Sequence, residues 1–142
     1  MLGIGPQRDA PPWHPLRVSR ERARVAIVTT GGFVPPGAPP FDTGRRGDPT
    51  FRIVPHGTDP GHLEICHPHY DHAAARRDVN VLFPYPWLDR FAREGVIGAP
   101  APRHISFMGY IPVTRPLEET YAPQVAGLLA QDAVDAALLV PA

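Results

Sequence analysis

The sequence predicts an α/β fold in which strands alternate with helices, around a sheet that is mostly parallel. The segment RVAIVTT (24–30) is a β-branched apolar run that ends at two glycines, and DAALLVPA (135–142) is a second apolar run. A segment with helical spacing, PWLDRFAREG (86–95), lies between them. Apolar runs bounded by turns are typical of strands that are buried on both faces of a parallel sheet. A chain of 142 residues suits one core.

The first 84 residues contain long irregular stretches beside the strand at 24–30. Residues 1–22 are rich in proline and show no periodicity, so we expect a loose arm followed by one domain over residues 23–142. Residues 33–78 show no sustained period of either kind, which is typical of a functional loop rather than a simple connection. VNVLFP (79–84) is a second strand candidate.

The C-terminal half contains the clearest periodic segments. Residues 86–95 predict a short helix with Gly95 as its C-terminal cap. Residues 102–112 are partly strand-like, and a helix over 114–130 is kinked or divided by Pro123. The last segment, DAALLVPA, predicts a buried strand that is followed by no helix in this sequence.

The composition excludes several classes of function. The 14 basic and 14 acidic residues cancel, so neither nucleic acid nor an anionic membrane is an expected partner. All the basic residues are arginine, which rules out a Schiff-base lysine and a Walker lysine. No apolar run approaches the roughly 20 residues of a membrane span, and the N-terminus does not have the pattern of a signal peptide. A single cysteine, Cys66, is typical of a cytoplasmic protein.

The heptapeptide CHPHYDH (66–72) carries the densest set of chemical groups. Its three imidazoles and one carboxylate are groups that bind zinc in hydrolases, so a zinc-hydrolase site is one hypothesis. A binuclear hydrolytic site needs further ligands, and only one histidine follows the motif. The alternative is that these are polar loop residues that hold backbone and substrate groups, and we therefore expect no metal site. Cys66 is either an activated nucleophile or a structural residue.

Several motifs in order resemble the selenoprotein B subunits of the glycine, sarcosine and betaine reductases, with the related D-proline reductase subunit. The matching segments are VAIVTTGG, PPFD, GDPTFRIVP, CHPHYDHAAARRDVNVLFP, REGVIGAPAPRHISFMGYI and DAALLVP. Together they span about residues 24 to 142, nearly everything after the arm. The resemblance implies that HxHxDH belongs to a loop in this family and is not the zinc-hydrolase signature.

The resemblance also implies an activity. Family members cleave a C–N bond reductively: a selenol attacks the carbon beside an activated amine, and the D-proline enzymes open a ring by related chemistry. The implied partners are a small amine or amino-acid substrate, other reductase subunits and a thioredoxin-type reductant. Candidates for proton donation, for pairing with the amine or for nucleophilic attack are Cys66, His67, His69, Asp71, His72 and His104. Candidate substrate-binding residues are Arg103, whose guanidinium suits a carboxylate, with Asp78 and Asn80.

Two departures from the family pattern set further expectations. The family more often has serine at the position of Cys66. Its selenocysteine, or the cysteine that replaces it, follows directly after the strand that matches DAALLVPA, so we expect the nucleophile just after Ala142 and no cofactor within these 142 residues. Because this sequence stops at the position where the family has its nucleophile, we expect that a UGA codon was read as a stop. The alternatives are a short paralogue or subunit without catalysis that binds substrate or partner chains, and a metal-binding hydrolase.

Overall fold

Seven strands are present in the computed structural model, which describes residues 14–44 and 46–142. The strands are β1 (Arg24–Thr29), β2 (Phe33–Val34), β3 (Phe51–Pro55), β4 (Glu64–Ile65), β5 (Ala99–Pro100), β6 (Arg103–Phe107) and β7 (Ala136–Val140). The α-helices of this described part are α1 (Ala73–Arg77), α2 (Tyr85–Arg93) and α3 (Ala122–Gln131). Short helical turns occupy Arg20–Arg22, Pro60–His62, Val79–Val81 and Leu117–Tyr121. The α/β class is therefore confirmed.

The main sheet is mixed, with β1 at its centre. β1 pairs in parallel with β7 on one side, and with β5 and β6 on the other. β3 continues the sheet beyond β6 and pairs with it in antiparallel register. β2 and β4 form a separate antiparallel pair. The predicted mostly parallel sheet thus holds for the strands around β1 and fails at β3.

Helices cover the sheet on both faces. Ile27 of β1 belongs to a buried cluster with Leu88 of α2 on one face. On the opposite face Ile105 and Phe107 of β6 pack with Val125 of α3. Because successive side chains of a strand point to opposite faces, one apolar run can supply both layers.

Three expectations about local structure are wrong. β3 lies inside the stretch predicted to be irregular, where its residues alternate between buried and exposed positions. VNVLFP forms a 3₁₀ turn instead of a strand, because the Asp78 side chain accepts the Asn80 backbone N–H and stabilises a turn locally. β7 is a strand as predicted but is not buried, since Leu138 and Leu139 are 50% and 70% exposed.

The helix predictions are confirmed in their main features. α2 ends at Arg93 and Glu94 is its C-cap. Gly95 follows with a left-handed φ of 70°. The expected helix over 114–130 is present as one continuous helical segment over residues 115–131, in which the π-helical turn Leu117–Tyr121 precedes α3. Pro123 lies in the first turn of α3 and does not divide the segment into two helices. Residues 1–13 of the predicted arm lie outside the described residues. No helix in the described ranges is long and apolar enough to cross a membrane.

Candidate functional site

The carboxyl ends of β1, β6 and β7 meet at one edge of the sheet. The Thr30 N–H donates to Val140 O at 3.1 Å, and the Gly32 N–H donates to Phe107 O at 2.9 Å. The backbone N–H of Ala142 donates to Thr30 Oγ1 at 2.9 Å. β6 and β7 flank β1 on opposite sides, and α2 and α3 lie on opposite faces. This is a topological switch point, the place where open α/β sheets bind ligands.

The histidine-rich loop between β4 and α1 is anchored to this edge. The Cys66 N–H donates to Gly32 O at 2.8 Å, which continues the short β2–β4 pairing. The Tyr70 hydroxyl donates to Gly31 O at 2.8 Å. Burial raises the pKa of Tyr70 to about 12, so the phenol stays protonated and can donate this bond. The loop is therefore fixed against the two glycines that end β1.

The three imidazoles of the loop have different surroundings. His67 is only 7% exposed, and its Nδ1 accepts the His69 backbone N–H at 3.1 Å. His72 Nε2 donates to the His67 carbonyl oxygen, so this ring stabilises the loop. His69 is exposed and lies against Tyr110, with 4.3 Å between ring centroids. Among the described residues, no group of three or more His, Cys, Asp or Glu side chains could hold a metal ion.

His67 points toward Gly109, just beyond the end of β6. A Cβ placed on Gly109 would lie 3.0 Å from His67 Nε2 and 2.6 Å from the Thr30 carbonyl oxygen. Gly109 also has φ of 89°, which strongly favours glycine. Burial, together with the charges of His69 and His72, lowers the pKa of His67. A neutral imidazole is thus held at the carboxyl edge of β1 and β6.

Three further candidates, Asp71, Asp78 and Asn80, take part in local turns. Asp71 Oδ1 accepts the Ala73 N–H at 2.9 Å where α1 begins. Asp78 Oδ1 accepts from both the backbone and the side-chain nitrogen of Asn80, at 2.9 and 2.8 Å. Asn80 Oδ1 is buried without a hydrogen-bond partner among the described residues. The structure therefore places these side chains in turns and does not bring them to Gly109.

Cys66 packs beside a network that fixes the loop before β3. Its Sγ donates to Phe41 O at 3.4 Å. The guanidinium of Arg52 lies 4.1 Å from the centre of the Phe41 ring, and it forms a 3.6 Å ion pair with Asp48. Burial favours the protonated form of Asp48, but hydrogen bonds from Thr50 and the Asp42 backbone prevail and lower its pKa. The thiol thus has a structural contact.

Arg103 lies at the opposite end of the sheet from the histidine-rich loop. It begins β6, and its guanidinium binds both carboxylate oxygens of Asp132, with Nε–Oδ2 2.6 Å and a second contact of 3.0 Å. The hydrogen bond with Asp132 raises the pKa of Arg103 further. The structure therefore pairs Arg103 with the turn after α3 and does not bring it together with His67.

His104 lies in the interior of the sheet within a chain of hydrogen bonds. The Ile27 N–H donates to His104 Nδ1 at 3.1 Å, so the proton of the neutral ring is on Nε2. That Nε2 lies 2.9 Å from His56 Nδ1, and His56 Nε2 lies 3.0 Å from Asp89 Oδ1. Burial, and then the neighbouring His56, lower the pKa of His104 to about 3 despite the opposing effect of Asp89.

Sequence reasoning missed several residues at the sheet edge and one in the hydrogen-bond chain of His104. At the sheet edge these are Thr30, Tyr70, Gly109 and Tyr110, and in the interior His56. One available signal was that TTGG and FMGY each place glycine just after an apolar strand, where backbone or ligand approaches closely. No comparable signal marked His56, because its partner His104 is 48 residues away.

The fold and its edge define an α/β protein with a candidate site at the carboxyl ends of parallel strands. The family model of the glycine/sarcosine/betaine reductase selenoprotein B family matches residues 6–142, and the chain belongs to this family. It is also 31% identical over 134 residues to D-proline reductase subunit gamma of Acetoanaerobium sticklandii. That match covers 94% of this chain and 54% of the relative, so the chain spans about half the relative's length. No solved structure matches the chain significantly.

Proposed function

We propose that this chain supplies the substrate-facing sheet edge of a reductase that cleaves a C–N bond with a selenol or thiol. The observation that carries the proposal is the position of the carboxyl end of β7. Ala142 is hydrogen-bonded to Thr30, and Thr30 and His67 both flank Gly109. A nucleophile on polypeptide that follows β7 would therefore enter the edge where His67 lies.

The chemistry that we propose follows from the family. A selenolate or thiolate lone pair forms a bond to the carbon beside the nitrogen, while the C–N electron pair leaves with the nitrogen. An ammonium substrate then releases a neutral amine, and a cyclic substrate opens. The carbon–chalcogen adduct passes to a partner subunit, where a dithiol reductant of the thioredoxin type supplies two electrons. The carbon–chalcogen bond breaks, the carbon and the chalcogen each take one hydrogen, and the dithiol becomes a disulfide.

The geometry favours an unequal division of roles among the candidate residues. We assign His67 to the reacting groups and His69, stacked on Tyr110, to the exposed rim of the site. His72 and Asp71 position the loop through backbone hydrogen bonds. Direct roles for Cys66, Asp78, Asn80, Arg103 and His104 in substrate binding or catalysis stay predictions.

The remaining parts of the proposal concern the assembly around the chain. We propose partner subunits, because the relative is a subunit by name, and we propose a cytoplasmic location from the single cysteine. The nucleophile, selenocysteine or cysteine, is the reactive group, with no cofactor in these 142 residues. The expected UGA after codon 142 stays a prediction, and reading the coding DNA past that codon tests it.

Amine release tests the proposed activity. The protein, extended through any in-frame continuation, is purified with its partner subunits and given a dithiol with glycine, sarcosine, betaine or D-proline. We expect amine release, or ring opening of D-proline, from one of the four. Loss of a group at the reacting centre typically lowers the rate about 100-fold or more, and we expect this for His67→Ala. His62→Ala is the matched control, because His62 is exposed and lies before the motif. No turnover of any substrate by an intact complex contradicts the proposal.

A second candidate function is a binding subunit without catalysis. The exposed apolar residues of β7, Leu138 and Leu139, favour it, because large apolar side chains exposed on both faces of an edge strand indicate contacts with further polypeptide. In that case the complex forms and binds substrate, but replacing the expected nucleophile with alanine leaves the amine-releasing activity of the complex unchanged.

A further inference from the structure

An apolar groove lies open between α3 and β7. Its volume is about 810 Å³, and the side chains that line it are almost all apolar. Ala122, Ala126 and Leu129 of α3 form one wall, at the spacing of a single helix face. Ala137 and Leu139 of β7 line the groove on the side of the sheet, where Leu139 is 70% exposed. Continuous exposed apolar surface of this kind indicates a contact site for other polypeptide.

The outer edge of β7 is open beside this groove. β7 pairs in parallel with β1 over Ala136–Val140, and it pairs with no other strand among the described residues. An edge strand presents backbone N–H and C=O groups that can pair with a further strand. Charged side chains and proline discourage such pairing, but the sequence of β7, AALLV, contains neither. The edge is therefore suited to accept another strand.

The connection from β6 to β7 shows on which face a following helix belongs. β6 and β7 both run parallel to β1 and flank it on opposite sides, so the chain crosses β1 through α3. α3 packs against Ile105 and Phe107 of β6, which defines its face of the sheet. Crossovers between parallel strands are nearly always right-handed, so a second crossover that travels in the same direction places its helix on the same face.

A crossover from β7 to a strand on its free edge travels in that same direction. Its helix therefore belongs on the α3 face, where the groove opens beside Leu139. Ala122 and Ala126 are small, so a second helix can approach α3 closely, at roughly 8–10 Å between the axes. The aligned 134 residues are 54% of the relative, so roughly 110 of its residues lie outside the match, and a crossover with its helix needs only about 12.

We propose that a helix of the polypeptide that follows β7 occupies this groove, and that a strand after the helix pairs in parallel with the free edge of β7. The helix lies along α3 and covers Leu139. Because the groove is apolar, the helix presents apolar side chains to it at every third or fourth position. The inference rests on the proposed function only for the presence of polypeptide after β7, and it does not depend on the reaction.

Thiol accessibility tests the occupancy of the groove without turnover. Ala126→Cys and Leu139→Cys are made separately in a Cys66→Ser background, and a maleimide is reacted with the 142-residue chain alone and with the intact complex described above. We expect the reaction at both positions to be about ten-fold or more slower in the complex. Ala130→Cys is the matched control, because Ala130 is exposed on α3 but does not line the groove, and its rate should be unchanged.

A photoreactive residue identifies the polypeptide that covers the groove. Thr114, an exposed residue that lines the groove, is replaced with p-benzoylphenylalanine, and the complex is irradiated. We expect mass spectrometry to find cross-links to residues beyond 142 of the same subunit, spaced three or four residues apart as on one helix face. Cross-links to residues 1–142 of a second copy, or to a different subunit, overturn the inference.

The outcomes separate this inference from the proposed reaction. Equal rates at Ala126→Cys in the chain alone and in the complex overturn the inference, even if the complex releases amine. Slow labelling in the chain alone means that a second copy covers the groove, and a coding frame that closes after codon 142 removes the occupant; either result also overturns it. A protected groove with cross-links beyond residue 142, in a complex that releases no amine, leaves the inference intact and contradicts the proposed function.

Discussion

Protonation of His104 should make the protein lose stability in mild acid. In the folded state this ring is fully buried, and Nδ1 must stay unprotonated to accept the Ile27 N–H. Its pKa is lowered from the ordinary value of 6.5 to about 3, first by burial and then by His56. The unfolded chain therefore binds more protons below the unfolded pKa, and the free energy of unfolding falls as the pH falls.

The size of the effect follows from the two pKa values. Between about pH 7 and about pH 5, the unfolded ring takes up a proton that the folded ring refuses, which lowers the free energy of unfolding by about 2 kcal/mol. The loss continues toward the folded pKa, where the native ring also becomes protonated. The lowered pKa of His67 acts in the same direction, so the contribution of His104 must be isolated by substitution.

Urea denaturation near pH 7, 6 and 5 measures this contribution. His104→Asn keeps an oxygen that can accept the Ile27 N–H but removes the titrating ring. The variant is less stable at every pH because of the cavity, but its decrease from about pH 7 to about pH 5 should be smaller by about 2 kcal/mol. His62→Asn, at an exposed position, is the control and should retain the wild-type decrease. Equal decreases for wild type and His104→Asn would refute the reasoning.

Two further predictions concern the supports of the fold. A Cβ on Gly47 would lie 2.0 Å from the Tyr110 carbonyl oxygen, whereas Gly57, with a similar positive φ, has nothing within 4 Å. Gly57→Ala should therefore cost about 1–2 kcal/mol of backbone strain, and Gly47→Ala clearly more in thermal unfolding; equal melting temperatures would contradict this. Arg103→Gln should lower the melting temperature through loss of the Asp132 pair without slowing amine release by the complex, whereas slower release would return Arg103 to the site.

The elements that the sequence predicted correctly depend on local signals. The first strand needs only its β-branched run, and α2 needs only its apolar spacing with a glycine beyond its end. Pro123 follows the π-helical turn within the long helix, because a proline lacks the N–H that a regular helix needs at that position. Each of these signals acts within about one turn or one strand, so no tertiary information was required.

The elements that the sequence did not predict depend on distant partners. The alternation of β3 covers only five residues between glycine- and proline-rich stretches, and it becomes a strand because β6 pairs with it. VNVLFP has the composition of a strand, but the Asp78 side chain competes for its first backbone N–H groups. Whether β7 is buried also depends on which polypeptide packs against it, and an apolar sequence alone does not show that.

The candidate site depends even more on tertiary structure. In the sequence His67, His69 and His72 are three equivalent imidazoles, and a metal site was a fair comparison. In the structure their differences arise from the groups nearby: a carbonyl for His72, an aromatic ring for His69 and the close approach of Gly109 for the buried His67. The spacing of residues in a loop does not fix these surroundings, because the loop backbone has no regular period.

The choice of donors at the edge has a chemical consequence that links the site to the proposed reaction. A guanidinium would bind an anion more strongly than a neutral N–H, but the stronger bond would also stabilise a nucleophile and reduce its reactivity. The arginine that the sequence suggested for this task, Arg103, is instead paired with Asp132 at the other end of β6. His67, which lies beside Gly109 at the carboxyl end of β6, is instead neutral because burial lowers its pKa. An edge that presents a neutral imidazole, with no guanidinium beside it, leaves a nucleophile that follows β7 able to attack carbon.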